Sequence, residues 1–347
     1  MTSSSRDNGP IPGLTLRAAT PGDWQAIADI INAANRGDGL DEVQSAAQIA
    51  SELPNSADFQ LARDLHVADV AGMPVGFAIG RKRQREETIT GETWAALHPD
   101  WRRRGIGTAL FNRAREALTI LLSEDPRPWP RELRSYAMDV QASDIALLTA
   151  QGFVPIRFGF EMRRAISGSL PSHPLPAGIE LRPVEEGDHR AIFDADVEAF
   201  QDHWGHTPGL DSDFAARFNG PEIDTSLWCV AWDGDQVAGV VMNAISEEEN
   251  EVLGVHRGWL DRVSVRRPWR GIGLAKALCS ASFAVLRDRG MDEAWLGVDA
   301  ANPTGALRLY EGLGFGVARR WQAYGRPLDT PALAGWKCAS DRAVAGG

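Results

Sequence analysis

Cysteine is scarce in this 347-residue chain: Cys229, Cys279 and Cys338 are all there are. They make neither an even-numbered disulfide framework nor a metal-binding spacing, which points to a reducing, cytoplasmic setting and no metal. No apolar run approaches the ~20 residues a bilayer crossing needs. The opening MTSSSRDNGPIPG has no apolar signal core and reads as a loose tail over 1–12. Basic excess is missing as well. The chain has 36 Lys and Arg against 47 Asp and Glu, a net charge of −11. General nucleic-acid binding needs a basic face, so neither nucleic acid nor membrane is an expected partner. The acidity suits a cationic substrate such as an amine, or serves solubility alone. No G-x-x-x-x-G-K-[ST] occurs, and no G-x-G-x-x-G opens a first β-α unit. Nucleoside triphosphatases and dinucleotide folds are therefore disfavoured.

What the chain does have is an internal repeat. GLTLRAATPGDWQAI at 13–27 returns as GIELRPVEEGDHRAI at 178–192, an offset of 178 − 13 = 165. Arg102 corresponds to Arg270, and Gly152-Phe153 to Gly314-Phe315, at similar offsets. Between the copies, residues 167–177 are rich in Ser and Pro and read as a linker. The expected organisation is a domain at 13–166, a domain at 178–330 and a tail at 331–347. Each copy predicts a strand, a helix, a hairpin and a fourth strand. An Arg/Gly-rich loop, a helix, a fifth strand, a further helix and a closing strand follow. The hairpins turn near Ala71-Gly72 and Asp233-Gly234. The fold class is α/β in the mixed, α+β sense, with a mostly antiparallel sheet.

The loop after the fourth strand carries the chemistry. It reads VSVRRPWRGIGLAKAL in the second copy and LHPDWRRRGIGTAL in the first. Arg270-Gly271-Ile272-Gly273-Leu274-Ala275 has the form R-x-x-G-x-A. Arg102-Arg103-Arg104-Gly105-Ile106-Gly107 has the form R-x-x-G-x-G, with Thr108 next. The first amides of a helix lack intrahelical acceptors and carry the positive end of its dipole. Glycines let that backbone approach a diphosphate closely. Arg266, Arg267 and Arg270, or Arg102 to Arg104, are expected to add charge. The other reading, a basic turn before an amphipathic helix, is weakened by the motif's recurrence between strand and helix.

The pattern V-x-x-P-W-R-G-I-G-L-A, followed by N-P-x-x-A-x-x-L-Y-x-x-L-G-F, resembles the GNAT superfamily of acyl-CoA-dependent N-acetyltransferases. The resemblance covers both halves. The doubling is similar to tandem actinobacterial members of the mycothiol-synthase type. It implies splayed fourth and fifth strands holding acetyl-CoA as co-substrate. The acetyl carbonyl would face an amide near Val263–Val265, with Leu97 at the equivalent place in the first copy. The function it implies is acetyl transfer to a primary amine of a small molecule. A mycothiol synthase-like enzyme and a non-catalytic acyl-CoA sensor are the alternatives.

Acetyl transfer needs a deprotonated amine, donors for the developing oxyanion and a proton for the leaving thiolate. Tyr310 matches the family's thiolate-protonating tyrosine; the other reading is a core ring among Leu307, Leu309 and Leu313. Asn302 matches a pantetheine contact, or caps a helix. Strand alternation places Asp261 and Trp259 on the face of Val265, making Asp261 the expected base, or else a salt-bridge partner. A mycothiol synthase is expected to carry a Glu where Trp259 stands. Asp202, His203, Trp204 and His206, after the first helix of the second copy, are expected near the acceptor, unless they form an ordinary loop. Trp204, Trp259 and Trp269 would line an apolar acceptor pocket, or serve as core. In the first copy Tyr310 becomes Leu148, Asn302 becomes Val140, and Thr93 and Gly91 stand at the strand positions. Glu92 has the wrong parity. This copy is expected to be catalytically depleted. Both a monomer and a homodimer are compatible with the repeat.

Overall fold

The computed structural model describes residues 11–54, 59–85, 88–204, 206, 209–218, 220, 223–302 and 305–328. Residues 1–10 of the expected N-terminal tail, the tail at 331–347 and Cys338 lie outside the described residues. Two compact units form, and they do not coincide with the two repeats. Among the described residues the first holds those of 11–83, 88–154 and 324–328; the second holds 84, 85 and those of 155–323.

The first unit runs β1 (Leu14–Ala18), α1 (Trp24–Asp38), α2 (Ala46–Glu52), α3 (Leu61–Asp64), β2 (Leu65–Val70), β3 (Met73–Arg85), β4 (Thr88–Leu97), α4 (Ile106–Ser123), β5 (Arg131–Met138) and α5 (Ala142–Ala150). The chain continues with β6 (Val154–Ala165), β7 (Ile179–Arg182), α6 (His189–Ala199), α7 (Asp211–Phe218), β8 (Cys229–Asp233), β9 (Gln236–Ala244), α8 (Glu247–Leu253), β10 (Arg257–Val265), α9 (Leu274–Asp288), β11 (Glu293–Asp299), α10 (Ala306–Gly312) and β12 (Gly316–Pro327).

Local chemistry explains most of these elements. In α1, Ile27, Ile30, Ile31 and Ala34 fall on one face and are buried, and Gly39 closes the helix at φ 75°. In α9, Leu274, Ala277, Leu278, Phe283 and Leu286 do the same. The β2–β3 turn has positive φ at both Ala71 and Gly72, the pair a type I′ hairpin demands.

Within the first unit the strands follow the order β1-β2-β3-β4-β5, and within the second β6-β11-β10-β9-β8-β7. The β4–β5 and β10–β11 pairs are parallel; the other resolved registers are antiparallel. The closing strands explain why units and repeats differ. β6 ends the first repeat, yet from Pro155 it belongs to the second unit, where it pairs with β11 from Gly159↔Asp299 to Ala165↔Glu293. β12 ends the second repeat, yet Tyr324–Pro327 belong to the first unit. There the Leu328 amide donates to Arg131 O at 3.1 Å, and Tyr324 and Leu328 join the Leu118–Leu133 core. The compact units therefore divide at 154/155, upstream of 167–177, because a closing strand is claimed by its hydrogen-bonding neighbour and not by its sequence neighbour.

Candidate active site

β10 and β11 pair only over Arg257–Trp259 and Glu293–Trp295, then separate. On its other edge β10 stays bonded to β9 as far as Val265↔Gly239, with a register shift between Leu260 and Arg262. Asp261 is the extra residue of a β-bulge, and it resets the alternation of faces. Past the bulge, Val263 and Val265 pack towards α9, while Arg262 turns the other way to Asp196 at 2.8 Å. Before it, a side chain on Gly258 would meet Leu286 of α9, and Leu260 joins the same core. Trp259 therefore lies opposite Val265, against Trp295 at 5.6 Å, and does not line the cleft. The expectation that Asp261 and Trp259 share the face of Val265 assumed a regular strand, and the bulge overturns it. Asp261 itself is exposed and lines the cleft.

The amides at the strand end point usefully. Arg266 N–H donates to Ala238 O at 3.0 Å, towards β9. By alternation the amides of Val263 and Val265 point away from β9, into the gap beside β11. The gap opens into a cleft of ≈ 630 Å³. Next comes the loop. Gly271 and Gly273 have φ 78° and 92°, a region side-chain-bearing residues avoid. Arg270 N–H donates to Arg267 O and Ala277 N–H to Gly273 O. Between them the amides of residues 271–276 find no backbone acceptor among the described residues. Gly271, Gly273, Leu274 and Ala275 line the cleft; Ile272 does not.

The arginines do something other than expected. Arg270 donates to Val265 O (2.9 Å), Ala199 O (2.9 Å) and Asp202 (2.7 Å). Arg267 also binds Asp202, through Nε at 3.0 Å, and Arg266 binds Glu198 at 2.7 Å. These side chains buckle the loop to the end of α6, and Arg270 also lines the cleft. Asp202, expected near the acceptor, lines the cleft and also anchors the loop. Bonds from Arg267 and then Arg270 hold its carboxyl well below the usual range.

Tyr310, on α10, is buried with its ring against Phe315 at 6.0 Å, and it also lines the cleft. Both readings of it, core ring and site residue, describe its position. Burial pushes its phenol pKa upwards, so it remains protonated and able to donate. Its hydroxyl makes no hydrogen bond among the described residues. Asn302, His203 and Trp204 line the same cleft, as does Trp269. Burial lowers the His203 pKa and keeps the ring neutral. His206 is not among the lining residues; its amide donates to His203 O.

Sequence reading missed Trp321 and Asp299. Trp321, on β12, lies across Gly159 of β6, where a Cβ would sit 2.2 Å from its ring. Asp299 ends β11, bonded to Arg157 at 2.7 Å, and Arg157 stacks over Trp204 at 5.5 Å. No local signal finds them, because Arg157 and Gly159 come from the other repeat.

The first unit has a smaller cleft, ≈ 310 Å³, lined by Leu97, Arg102, Arg103, Gly105, Gly107 and Thr108 among others. Its loop is built alike. Arg102 binds Asp38 at 2.8 Å, as Arg270 binds Asp202. Gly105 has φ 88°, and Arg103 takes φ 64° where Gly271 stands in the second unit. Ile106 is fully buried, and Arg104 stacks over Trp101 at 4.7 Å; neither lines the cleft. β4 keeps strict alternation: Ile89, Gly91, Ala95 and Leu97 all face α4. It has no counterpart of the bulge. Gly91 pairs with Leu133 as Gly258 pairs with Ala294, so Glu92 and not Gly91 corresponds to Trp259. The Ser135 hydroxyl donates to Thr93 O at 2.8 Å, tying β5 to β4 just beyond their last ladder pair, Glu92↔Arg134. Leu148, at the Tyr310 position, is a core residue.

Comparison with known proteins agrees with this geometry. The acetyltransferase (GNAT) family model matches residues 189–315, and a GNAT domain model matches 62–155. A mycothiol acetyltransferase of Salinispora arenicola is 34% identical over 232 residues, 66% of this chain and 70% of the relative. One from Thermobispora bispora is 30% identical over 87% of this chain and 94% of its own. A GCN5-related N-acetyltransferase structure from Sphaerobacter thermophilus superposes with a TM-score of 0.70 at 26% identity, covering 93% of this chain and 98% of its own. A tandem GNAT protein from the clavulanic acid pathway shares the fold at a TM-score of 0.58 and 17% identity, covering 92% of this chain and all of its own.

Proposed function

The chain belongs to the GNAT acetyltransferase family, an acetyl-CoA-dependent N-acetyltransferase, and from that premise we propose that its second unit performs the transfer and its first does not. The observation that carries this is the cleft lined together by Val263 and Val265, by Gly271 and Gly273 to Lys276, and by Tyr310. The loop amides hold the diphosphate. The strand amides donate to the thioester oxygen as negative charge develops there. Asp261 takes a proton from the acceptor ammonium, directly or through water. The amine nitrogen forms its bond to the acetyl carbon and sheds its second proton to water, the carbon–sulfur bond breaks, and Tyr310 gives its proton to the departing thiolate. Solvent resets both side chains.

For the acceptor, the names of the relatives favour the mycothiol synthase-like reading over an unspecified small amine. We propose the primary amine of mycothiol lacking its acetyl group. Trp259, where a strand Glu is expected, departs from that pattern, and the bulge carboxylate Asp261 is the acid available in its stead. The test is coenzyme A release from acetyl-CoA, offered that amine alongside glucosamine and a polyamine. Release confined to the first supports the reading. Release with another amine moves the acceptor, and binding of acetyl-CoA without release on any amine favours a sensor. In the first unit a regular β4, the Ser135 staple and Leu148 support binding or scaffolding without turnover.

A further inference from the structure

The closing strands of the two repeats differ sharply at one position. At the offset of 162 that joins Gly152 to Gly314, Gly159 of β6 corresponds to Trp321 of β12. Both fall in the second unit, where the indole covers the glycine: a Cβ on Gly159 would stand 2.2 Å and 2.5 Å from two atoms of its six-membered ring. One side of Trp321 is therefore seated on β6, and the half-buried ring also lines the cleft. It takes no part in the transfer step. The charged groups beside it are tied to one another. Asp299 accepts from Arg157 at 2.7 Å and from the Ala301 amide at 2.9 Å, and Glu161 pairs with Arg319 at 3.2 Å. What this end of the cleft offers is aromatic surface: Trp321, and Trp204 with Arg157 over its ring at 5.5 Å.

A hydroxylated saturated ring, a sugar or a cyclitol, presents an apolar C–H face to an indole and keeps its hydroxyls at the rim for polar groups. His203 and Asp299 line the same cleft and supply such groups. We infer that Trp321 is a specificity-determining residue for the acceptor, taking one saturated ring of it against the indole while the amine reaches the acetyl group. This rests on the mycothiol synthase-like reading above, whose acceptor is a cysteinyl amine carried on two such rings. It adds the residue that distinguishes that acceptor from a bare amine. The contact is the same before and in the transition state, so it contributes to binding and not to the chemical step. An ammonium over the indole is the competing use of the same ring, and it would not depend on the rest of the acceptor.

The experiment is steady-state coenzyme A release by the full chain, Trp321→Leu and Trp321→Phe with two acceptors: mycothiol lacking its acetyl group, and cysteinamide, the same amine without the rings. Trp321→Leu should raise KM for the ring-bearing acceptor roughly tenfold at unchanged kcat, and Trp321→Phe should recover most of that loss. On cysteinamide kcat/KM should be the same in all three proteins, as should KM for acetyl-CoA. The ratio of kcat/KM on the two acceptors does not depend on how much of a variant is folded, so a destabilised variant still decides. Equal losses on both acceptors overturn the inference and assign the ring to the ammonium or to packing. A raised KM for acetyl-CoA overturns it as well. A wild-type chain that acetylates cysteinamide as efficiently as the ring-bearing amine overturns it too, and leaves the transferase assignment standing. One that releases coenzyme A with neither overturns the acceptor reading itself and this inference with it.

Discussion

Tyr310 and Leu148 occupy one position in two related helices, and the difference between them separates chemistry from packing. Tyr310→Phe keeps the ring and removes only the proton, so kcat should fall by roughly 10²-fold with melting unchanged. Leu148→Ala removes buried methyl groups and should cost about 2–5 kcal/mol by denaturant titration, with no loss of turnover in molecules that remain folded. Turnover lost in Leu148→Ala alone would reverse the roles of the two units. Asp144, lining the first unit's cleft, gives a pH-dependent test. Burial, then the neighbouring Asp38, raises its pKa from 3.8 to about 6, with Arg102 opposing. The folded protein holds that proton more tightly than the unfolded one. The stability so gained is complete below pH 3.8 and is lost as pH rises through 6. Asp144→Asn should therefore raise the melting temperature at pH 7.5, by at most about 3 kcal/mol in stability, and change little at pH 4. A gain at pH 4 equal to that at pH 7.5 would rule out the titration.

At the scale of elements, the loops, helices and hairpins were legible because their signals are local. Glycines mark the positive φ of the phosphate loop, and apolar spacing marks the faces of α1 and α9. The bulge was not legible from alternation, which presumes a regular strand. It is nevertheless written in the spacing of the repeats. Gly91 and Gly258 differ by 167, whereas Arg102 and Arg270 differ by 168, and the added residue is Asp261. The ion pairs of the loop arginines were not legible for a related reason. Their carboxylate partners lie on α6 or just beyond it, more than sixty residues earlier, and no motif announces them. Deleting Asp261 should restore alternation, bring Trp259 round to the α9 face and abolish turnover, a larger loss than Asp261→Asn causes. If deletion and Asn substitution lower kcat/KM equally, the bulge matters only for its carboxylate.

For the molecule as a whole, the repeat gave the fold class and the strand order of each half, but not the exchange of closing strands. Nothing in the composition of β6 tells which neighbour it will pair with; the register from Gly159 to Ala165 decides it. The exchange predicts that residues 178–330 expressed alone leave the edge of β11 unpaired. That fragment should be aggregated or poorly protected in hydrogen exchange, while the full chain is monodisperse. A soluble, cooperatively melting 178–330 fragment would show that β6 is dispensable.

The same exchange sets an order of events during synthesis. A ribosome delivers the first repeat well before the second, and a nascent domain ordinarily begins to fold as soon as it emerges. Here the segment that completes the earlier half, Tyr324–Leu328, leaves the exit tunnel only after the rest of the second repeat. The leading half must wait, one margin open, until the second repeat has been made, so a stop codon falling just before Tyr324 would damage the earlier half of the protein as well as the later one.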